Sequence, residues 1–559
     1  MLDHFSYLRK YFAEGQMNTL KGVCRDKDSM FYGIHPEVWP NQVEASNFFY
    51  PVSNFVMAYY LKGYECYRND AFMEAAELAL TQGQRFIHDD GTTDLKMTNF
   101  HDPSNNAFII RDSLGPAVDV MARNSQHTDA ENRVEQLLIK TLIKMSKPME
   151  TLGFHTPNHR WIICSALSYV YKYTHDEEAL NTIGKFLWEG IDCDENGEYT
   201  ERSAGMYNHQ CNISFIKYAY VTGDNSFLEY PIRNMKMMRS YYEPDGSICT
   251  MNSMRQDRGS SIGIDVYYDV YLTLALFTGD PEFAYYADMC LRRLMAEEVR
   301  VGHPIVYHDA RLIYWTFVND AWEEKWKTID SYLPDRKTDL YFEKSGIARV
   351  FSRNTALTVL RTNQPDFIKF QIGGSSMCVR AGGSFFGGPH AQFRAKTFEK
   401  TENGFRLSST EEAGYRSQFD QPPITSEWRH MDHSLRRIIN VRNFTTTFDI
   451  VPFDGGFSLD TSYAGDDDIP VKLELTFAPG CRVETDVFVF SARGGDYVYY
   501  KGGTVRLRFP TGGVLTIEGG SATHYGGEYL RGTEHVPADC FTLCLTSATP
   551  NGFHVRFST

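Results

Sequence analysis

Gly-Gly pairs partition this 559-residue chain. None occurs before about residue 330, and nine follow, at 373–374, 382–383, 387–388, 455–456, 494–495, 502–503, 512–513, 519–520 and 526–527. A Gly-Gly pair accepts the positive φ angles of tight turns, so its repetition confines the C-terminal part to short strands joined by hairpins. Between the pairs lie alternating runs of β-branched and aromatic residues, at 356–361, 445–451, 471–477, 497–500, 504–509 and 514–518. Such runs at short spacing predict an antiparallel sandwich or stacked sheets.

The N-terminal part has the other period. Apolar residues recur at three- and four-residue spacing over 45–62, 71–87, 107–122, 130–145, 159–173, 177–188, 209–221, 225–242, 262–278 and 281–293, which predicts helices. Thr222-Gly223-Asp224, Thr278-Gly279-Asp280 and Thr174-His175-Asp176 read as connectors, with a left-handed residue closing one helix and Asp capping the next. Long helix, short connector, long helix, longer polar loop is the order of paired helices around a ring. The expected fold is α+β and multidomain: an incomplete α/α toroid over 1–330, then an antiparallel β-sandwich or stacked β-sheets over 331–559. The joint falls within 300–345.

Composition removes some functions. The net charge of −15 argues against nucleic acid as the main partner, although a local Arg cluster can still hold an anion. The first residues, MLDHFSYLRKYFAEGQ, lack a charged start followed by a long apolar run. A cytoplasmic protein with no membrane partner is expected, or a periplasmic or secreted one if the numbering starts after a removed signal. Eleven Cys without a CxxC pair predict reduced, mostly buried thiols. Homo-oligomerisation stays open.

Four loops carry candidate chemistry. In His155-Thr156-Pro157-Asn158-His159-Arg160-Trp161, Pro157 ends any preceding helix and Asn158 can cap the next, leaving His159, Arg160 and Trp161 at a loop end. Gly197 to His209 packs Glu201, Arg202, Tyr207 and His209 beside a flexible glycine. It reads either as a capped helix start with a Glu201–Arg202 ion pair or as a Tyr–His pair at the mouth of the toroid. Asn252, Arg255, Gln256, Asp257 and Arg258 suggest an anion site, with an Arg–Asp network holding the loop as the equal alternative. Flanking glycines free His390 at the edge of the β domain, with His303 and His308 competing for its role. Asn41, Asn47, His101, Asn105 and Arg111 are lesser candidates for shaping subsites.

This constellation resembles the heparinase II/III-like polysaccharide lyases. The resemblance covers the two-part layout and rests on Asn158-His159 and on Gly197–His209, which is similar to the family's acidic-Gly-x-x-x-Glu-Arg-Ser…Tyr stretch. Where the family often carries His-x-His-x-Asp in the β domain, this chain has Gly-Gly-Pro-His390-Ala-Gln. The resemblance implies β-elimination on an anionic poly- or oligosaccharide containing uronic acid. Asn158 and either Arg202 or Arg255 would hold the uronate carboxylate. Tyr207 would be the acid, in one version also the base, with His159, His209 or His390 as its partner. Glu201, Arg160, Trp161, Asn252, Arg255, Gln256, Asp257 and Arg258 would bind substrate. The resemblance implies no required cofactor and leaves room for a structural divalent metal, zinc or calcium. The rival is a glycoside hydrolase on the same toroid, whose two carboxylates would come from Glu201, Asp257 and Asp265.

Overall fold

In the computed structural model, which describes residues 2–36, 42–301, 310–335 and 338–559, the connectors are helix caps. Gly223 and Gly279 take left-handed backbone at φ 77° and 73° as C-caps. His175 does the same at φ 57°, without a glycine's freedom. Asp176 and Asp224 then cap the following elements, each accepting from a backbone N–H two residues on.

The chain divides into two compact units. One comprises Met1–Arg239 and Ile248–Asp335, the other Ser240–Ser247 and Arg336–Thr559. The first is helical: α1 (His4–Gly22), α2 (Ala45–Tyr60), α3 (Asp70–Gly83), α4 (Pro103–Ile109), α5 (Gly115–Met121), α6 (Asp129–Thr151), α7 (Pro157–Thr174), α8 (Glu177–Trp188), α9 (Tyr207–Thr222), α10 (Glu229–Met238), α11 (Tyr268–Thr278), α12 (Pro281–Val301), α13 (Ala310–Ile313) and α14 (Trp322–Thr328). A π-helical turn, Ile110–Leu114, joins α4 to α5.

Two kinds of helix alternate. α2, α5, α7, α9 and α11 are buried on most sides, and α4, α7, α9 and α11 touch in succession. The partners α3, α6, α8, α10 and α12 bury one stripe and pack outside them. A helix apolar all round can only be interior, and an amphipathic one can only border solvent. α1 was not legible as a helix: its buried face includes His4, Gly15 and Gln16, and His4 is bonded to Tyr268 and Asp288, far along the chain.

The second unit holds a nine-stranded and an eight-stranded sheet. Their inner faces share one core that includes Phe370, Phe448, Phe457, Leu473 and Phe557. Among the described residues the pairing is antiparallel with two exceptions, which corrects the wholly antiparallel expectation: Tyr497–Tyr499 runs parallel to Phe541–Ala548, and Ala522 forms an isolated parallel bridge to Thr546. Ser240–Ser247 belongs to this unit through a buried ion triad. Glu243 accepts from Arg349 at 2.7 Å and from Lys369 at 3.1 Å, and these cations hold its carboxyl below the usual range against the pull of burial.

All eleven cysteines are free thiols. Among the described residues no helix is long and apolar enough to cross a membrane, and no group of three or more His, Cys, Asp or Glu could hold a metal ion.

Candidate active site

The site is built where α7 and α9 begin. Thr156 caps α7 and Pro157 takes its first position, where a missing N–H costs nothing. This corrects the expectation that Asn158 caps. Asn158 lies inside the first turn, 1% exposed, and its amide nitrogen donates to Thr156 Oγ1 at 2.9 Å and to Glu201 Oε2 at 2.7 Å. Because a carboxylate only accepts, the amide must face Glu201 with nitrogen, which leaves Asn158 Oδ1 buried and without a partner.

Glu201 is the hub. Its other oxygen accepts from Arg255 Nη1 at 2.7 Å. Burial raises its carboxyl above the ordinary value, against the lowering pull of Asn158 and Arg255. The Arg255 guanidinium lies 4.4 Å from the Tyr207 ring centroid. Tyr207 opens α9, its backbone N–H bonded to Ser203 Oγ at 3.0 Å. Its hydroxyl makes no hydrogen bond among the described residues. Residues 158, 201, 207 and 255, far apart in sequence, thus form one connected cluster.

The loop that carries Glu201 is stapled from below. Asp257 is 1% exposed and accepts from Ser203 Oγ at 2.8 Å, Ser253 Oγ at 2.5 Å and the Gly205 N–H at 2.8 Å. A Cβ on Gly205 would sit 2.9 Å from Asp257 Oδ2 and 2.5 Å from Ile262 Cδ1, so a larger residue there would displace Ile262 or the Asp257 carboxylate. Asp257 is therefore a loop staple, which corrects its assignment to substrate binding. Asp265, another carboxylate that the hydrolase rival would draw on, pairs with Arg293 at 3.3 Å at a partly exposed position.

One further substrate-binding expectation is corrected. Trp161 is 1% exposed, and its indole N–H donates to Asp192 at 2.8 Å, so it offers no ring face to a sugar. Arg160 is held by Glu189 and Asp192, each at 3.1 Å. Asn252 is buried, Gln256 is exposed and accepts from Arg255 Nε at 3.3 Å, and Arg202 and Arg258 are half-buried. Arg202 has left-handed backbone at φ 50°.

His159 and His209 differ in kind. His159 is packed edge-on to Phe108 with its Nδ1 buried and unpartnered. Burial pushes its pKa down to about 4, with Asp102 opposing and the charges of His155 and Arg255 adding to the effect. It is a neutral imidazole near pH 7. His209 Nε2 faces the buried Asp269 at 2.8 Å, and Gln210 Nε2 reaches His209 Nδ1 at 3.4 Å. Burial would raise the Asp269 carboxyl, but His209 outweighs it and the net direction is down.

Gln210 ties His209 to the π-helical turn. Arg111 Nη2 donates to Gln210 Oε1 at 2.8 Å and Arg111 Nη1 to Ser214 at 2.8 Å. Asp112 accepts from Arg111 at 2.6 and 2.9 Å and from Lys217 at 2.9 Å. Sequence reading missed this network, because nothing in the pattern says that residue 111 faces residue 210. The remaining lesser candidates are structural. Asn105 donates to Thr93 Oγ1 and to the Asp94 carbonyl, Asn47 completes the cap of α2, and His101 pairs with Asp90 at 2.7 Å. Asn41, His303 and His308 lie outside the described residues. His390 is in the other unit, bonded to Glu411 Oε2 at 3.0 Å.

The fold has known counterparts. No family model matches the chain, and no curated protein matches its sequence. Among solved structures, a chondroitinase AC lyase solved with oligosaccharides is 12% identical at a TM-score of 0.52, over 98% of this chain and 80% of that one. The chondroitin AC lyase of Streptomyces coelicolor A3 is 9% identical at 0.53, over 100% and 80%. A Paenibacillus xanthan lyase is 10% identical at 0.53, over 99% of this chain and 57% of that one, so this chain spans little more than half its length. The chain has the fold of polysaccharide lyases. At these identities the likeness concerns fold alone, and it does not single out the heparinase II/III-like branch.

The buried imidazole gives one pH expectation. The unfolded chain protonates His159 near the ordinary pKa of about 6.5 and the folded chain only near 4. Folding stability is thus unaffected above about pH 6.5 and falls as pH drops toward about 4, by up to about 3 kcal/mol. His159→Gln should remove that part of the slope in urea unfolding compared at about pH 7 and about pH 4.5. Equal acid losses in both proteins would show that His159 protonates normally in the folded state.

Proposed function

We propose that this protein is a glycan lyase that cleaves uronate-containing poly- or oligosaccharides by β-elimination at the Asn158–Glu201–Arg255–Tyr207 cluster, in a helical unit that is an incomplete α/α toroid. The observation that carries the reading is the Arg255 guanidinium held between Glu201 and the Tyr207 ring. The heparinase II/III-like motif resemblance and the fold shared with polysaccharide lyases support it.

The chemistry assigns each group. The proton on C5 of a uronate is weakly acidic while the carboxylate beside it is charged. Arg255 spends one Nη1 hydrogen on Glu201 and its Nε hydrogen on Gln256, and its remaining Nη1 and Nη2 hydrogens can neutralise that carboxylate and stabilise the enolate-like charge. This favours Arg255 over Arg202. Asn158 is buried, with its amide nitrogen committed to Thr156 and Glu201, so it acts by positioning Glu201. A base removes the C5 proton, the C4–O4 bond breaks as the C4–C5 double bond forms, and an acid protonates the departing oxygen. Tyr207 serves as that acid, with the Arg255 charge offsetting negative charge that develops on the ring. His209, oriented by Asp269, is the favoured base, and neutral His159 lines the same helix-start region.

A panel of uronate glycans and their carboxyl-reduced counterparts tests this reading. Cleavage confined to the uronate forms is expected. Equal cleavage of both would remove carboxylate neutralisation from the mechanism.

A further inference from the structure

The helical unit has a further groove, lined by residues other than those of the cluster. Where α2 ends at Tyr60 and α5 at Met121, a groove of about 890 Å³ opens, and none of its lining residues belongs to the candidate active site. Four lining side chains are cationic, Arg9, Lys62, Arg68 and Arg123, and one is acidic, Asp320.

The arginines are pre-positioned. Arg9 is held by Glu323 at 2.6 Å and Arg68 by Glu131 at 2.6 Å. Arg123 bonds Asp119 at 3.3 Å and the Val318 carbonyl at 3.0 Å. Asp119 is itself fixed by Lys172 at 2.8 Å, by Tyr220 at 2.9 Å and Tyr314 at 3.0 Å, and by Tyr173. These three carboxylates hold the cations without lining the groove. Arg68 has left-handed backbone at φ 56°, and its guanidinium lies 5.0, 4.9 and 5.8 Å from the ring centroids of Tyr59, Tyr60 and Tyr67. Cations after helix ends answer the helix dipole, which accounts for charge at Lys62 and Arg123. It does not account for Arg9, which sits within α1, for the strained Arg68, or for a cavity of this size.

We propose that this groove is a second, non-catalytic binding site for an anionic oligosaccharide. Its ligand class rests on the glycan-lyase reading. Fixed guanidinium groups would take carboxylate or sulfate, Asn124 and Asn319 sugar hydroxyls, and the partly exposed Tyr67 ring a pyranose face. Ordering cost is low because the cations are already held.

Calorimetric titration of the full chain with a chondroitin sulfate hexasaccharide and an alginate hexasaccharide tests the proposal, with maltohexaose and inorganic phosphate as controls. Two sites per chain are expected for at least one anionic hexasaccharide. Lys62→Glu, at an exposed side chain, should weaken one site by about fivefold or more at low salt, and Tyr67→Ala should weaken the same one. Arg255→Ala should spare it. Binding that survives Arg255→Ala and falls with Lys62→Glu supports the groove even if no elimination is ever seen, so the two readings fail separately. A single site that Arg255→Ala abolishes, insensitivity to both groove variants, equal binding of maltohexaose, or full displacement by phosphate would overturn the proposal.

Discussion

Tyr207→Phe should lower the elimination rate by about 10²–10⁴-fold and leave folding unchanged. The hydroxyl makes no hydrogen bond among the described residues, so its removal leaves no buried partner unsatisfied. The ring stays beneath Arg255, because the cation–π contact at 4.4 Å depends on the π-face rather than on the oxygen. The backbone tie from the Tyr207 N–H to Ser203 is also untouched. Thermal unfolding should therefore match the parent protein, and turnover at saturating substrate should carry the whole loss. Turnover within a few-fold of the parent would take Tyr207 out of the proton transfer. A loss confined to substrate affinity would make it a binding residue.

Asp112→Asn should destabilise the helical unit by about 3–5 kcal/mol. The side chains of Arg111, Asp112 and Lys217 are 2%, 8% and 1% exposed, so two cations share one carboxylate in a dry site. Burial would raise the Asp112 carboxyl and lower the Lys217 amine. The Arg111 and Lys217 charges prevail at Asp112 and hold it far below the ordinary range, whereas burial prevails at Lys217 and its pKa is lowered. Removing the carboxylate charge leaves both cations uncompensated, which costs more than the pair contributes. Lys217→Met in the same chain should recover much of the loss by deleting one of them. Activity should fall beyond the loss of folded protein, because Arg111 holds Gln210, and Gln210 reaches His209. An Asp112→Asn protein as stable as its parent would show that water reaches the network.

The halves of the fold were legible because each follows a one-dimensional pattern. α8, Glu177–Trp188, has the bounds that its periodicity predicts, and the 471–477 run lies within the central strand Pro470–Phe477. Left-handed C-caps at Gly223 and Gly279 followed from a steric rule about one residue. The site was legible as residue types and not as partners. Asn158 was readable as a polar residue at a helix start, yet its bond to Glu201 spans 43 positions. Asp257 looked like a binding carboxylate because its spacing from Arg255 and Arg258 resembles an anion loop, and only its three donors show it as a staple. Trp161 looked like a sugar platform because aromatic character is visible in a sequence and burial is not. The link from Arg111 to Gln210 needed the π-helical turn, which shifts the register of one residue without any signature in composition.

β-Elimination leaves a mark that hydrolysis does not, a C4–C5 double bond conjugated with the uronate carboxylate. The decisive measurement is ultraviolet absorbance from that chromophore, followed together with new reducing ends on a panel of uronate glycans. One chromophore per new reducing end is the expected result, with both lost in Tyr207→Phe. Reducing ends without the chromophore would contradict elimination and identify a hydrolase.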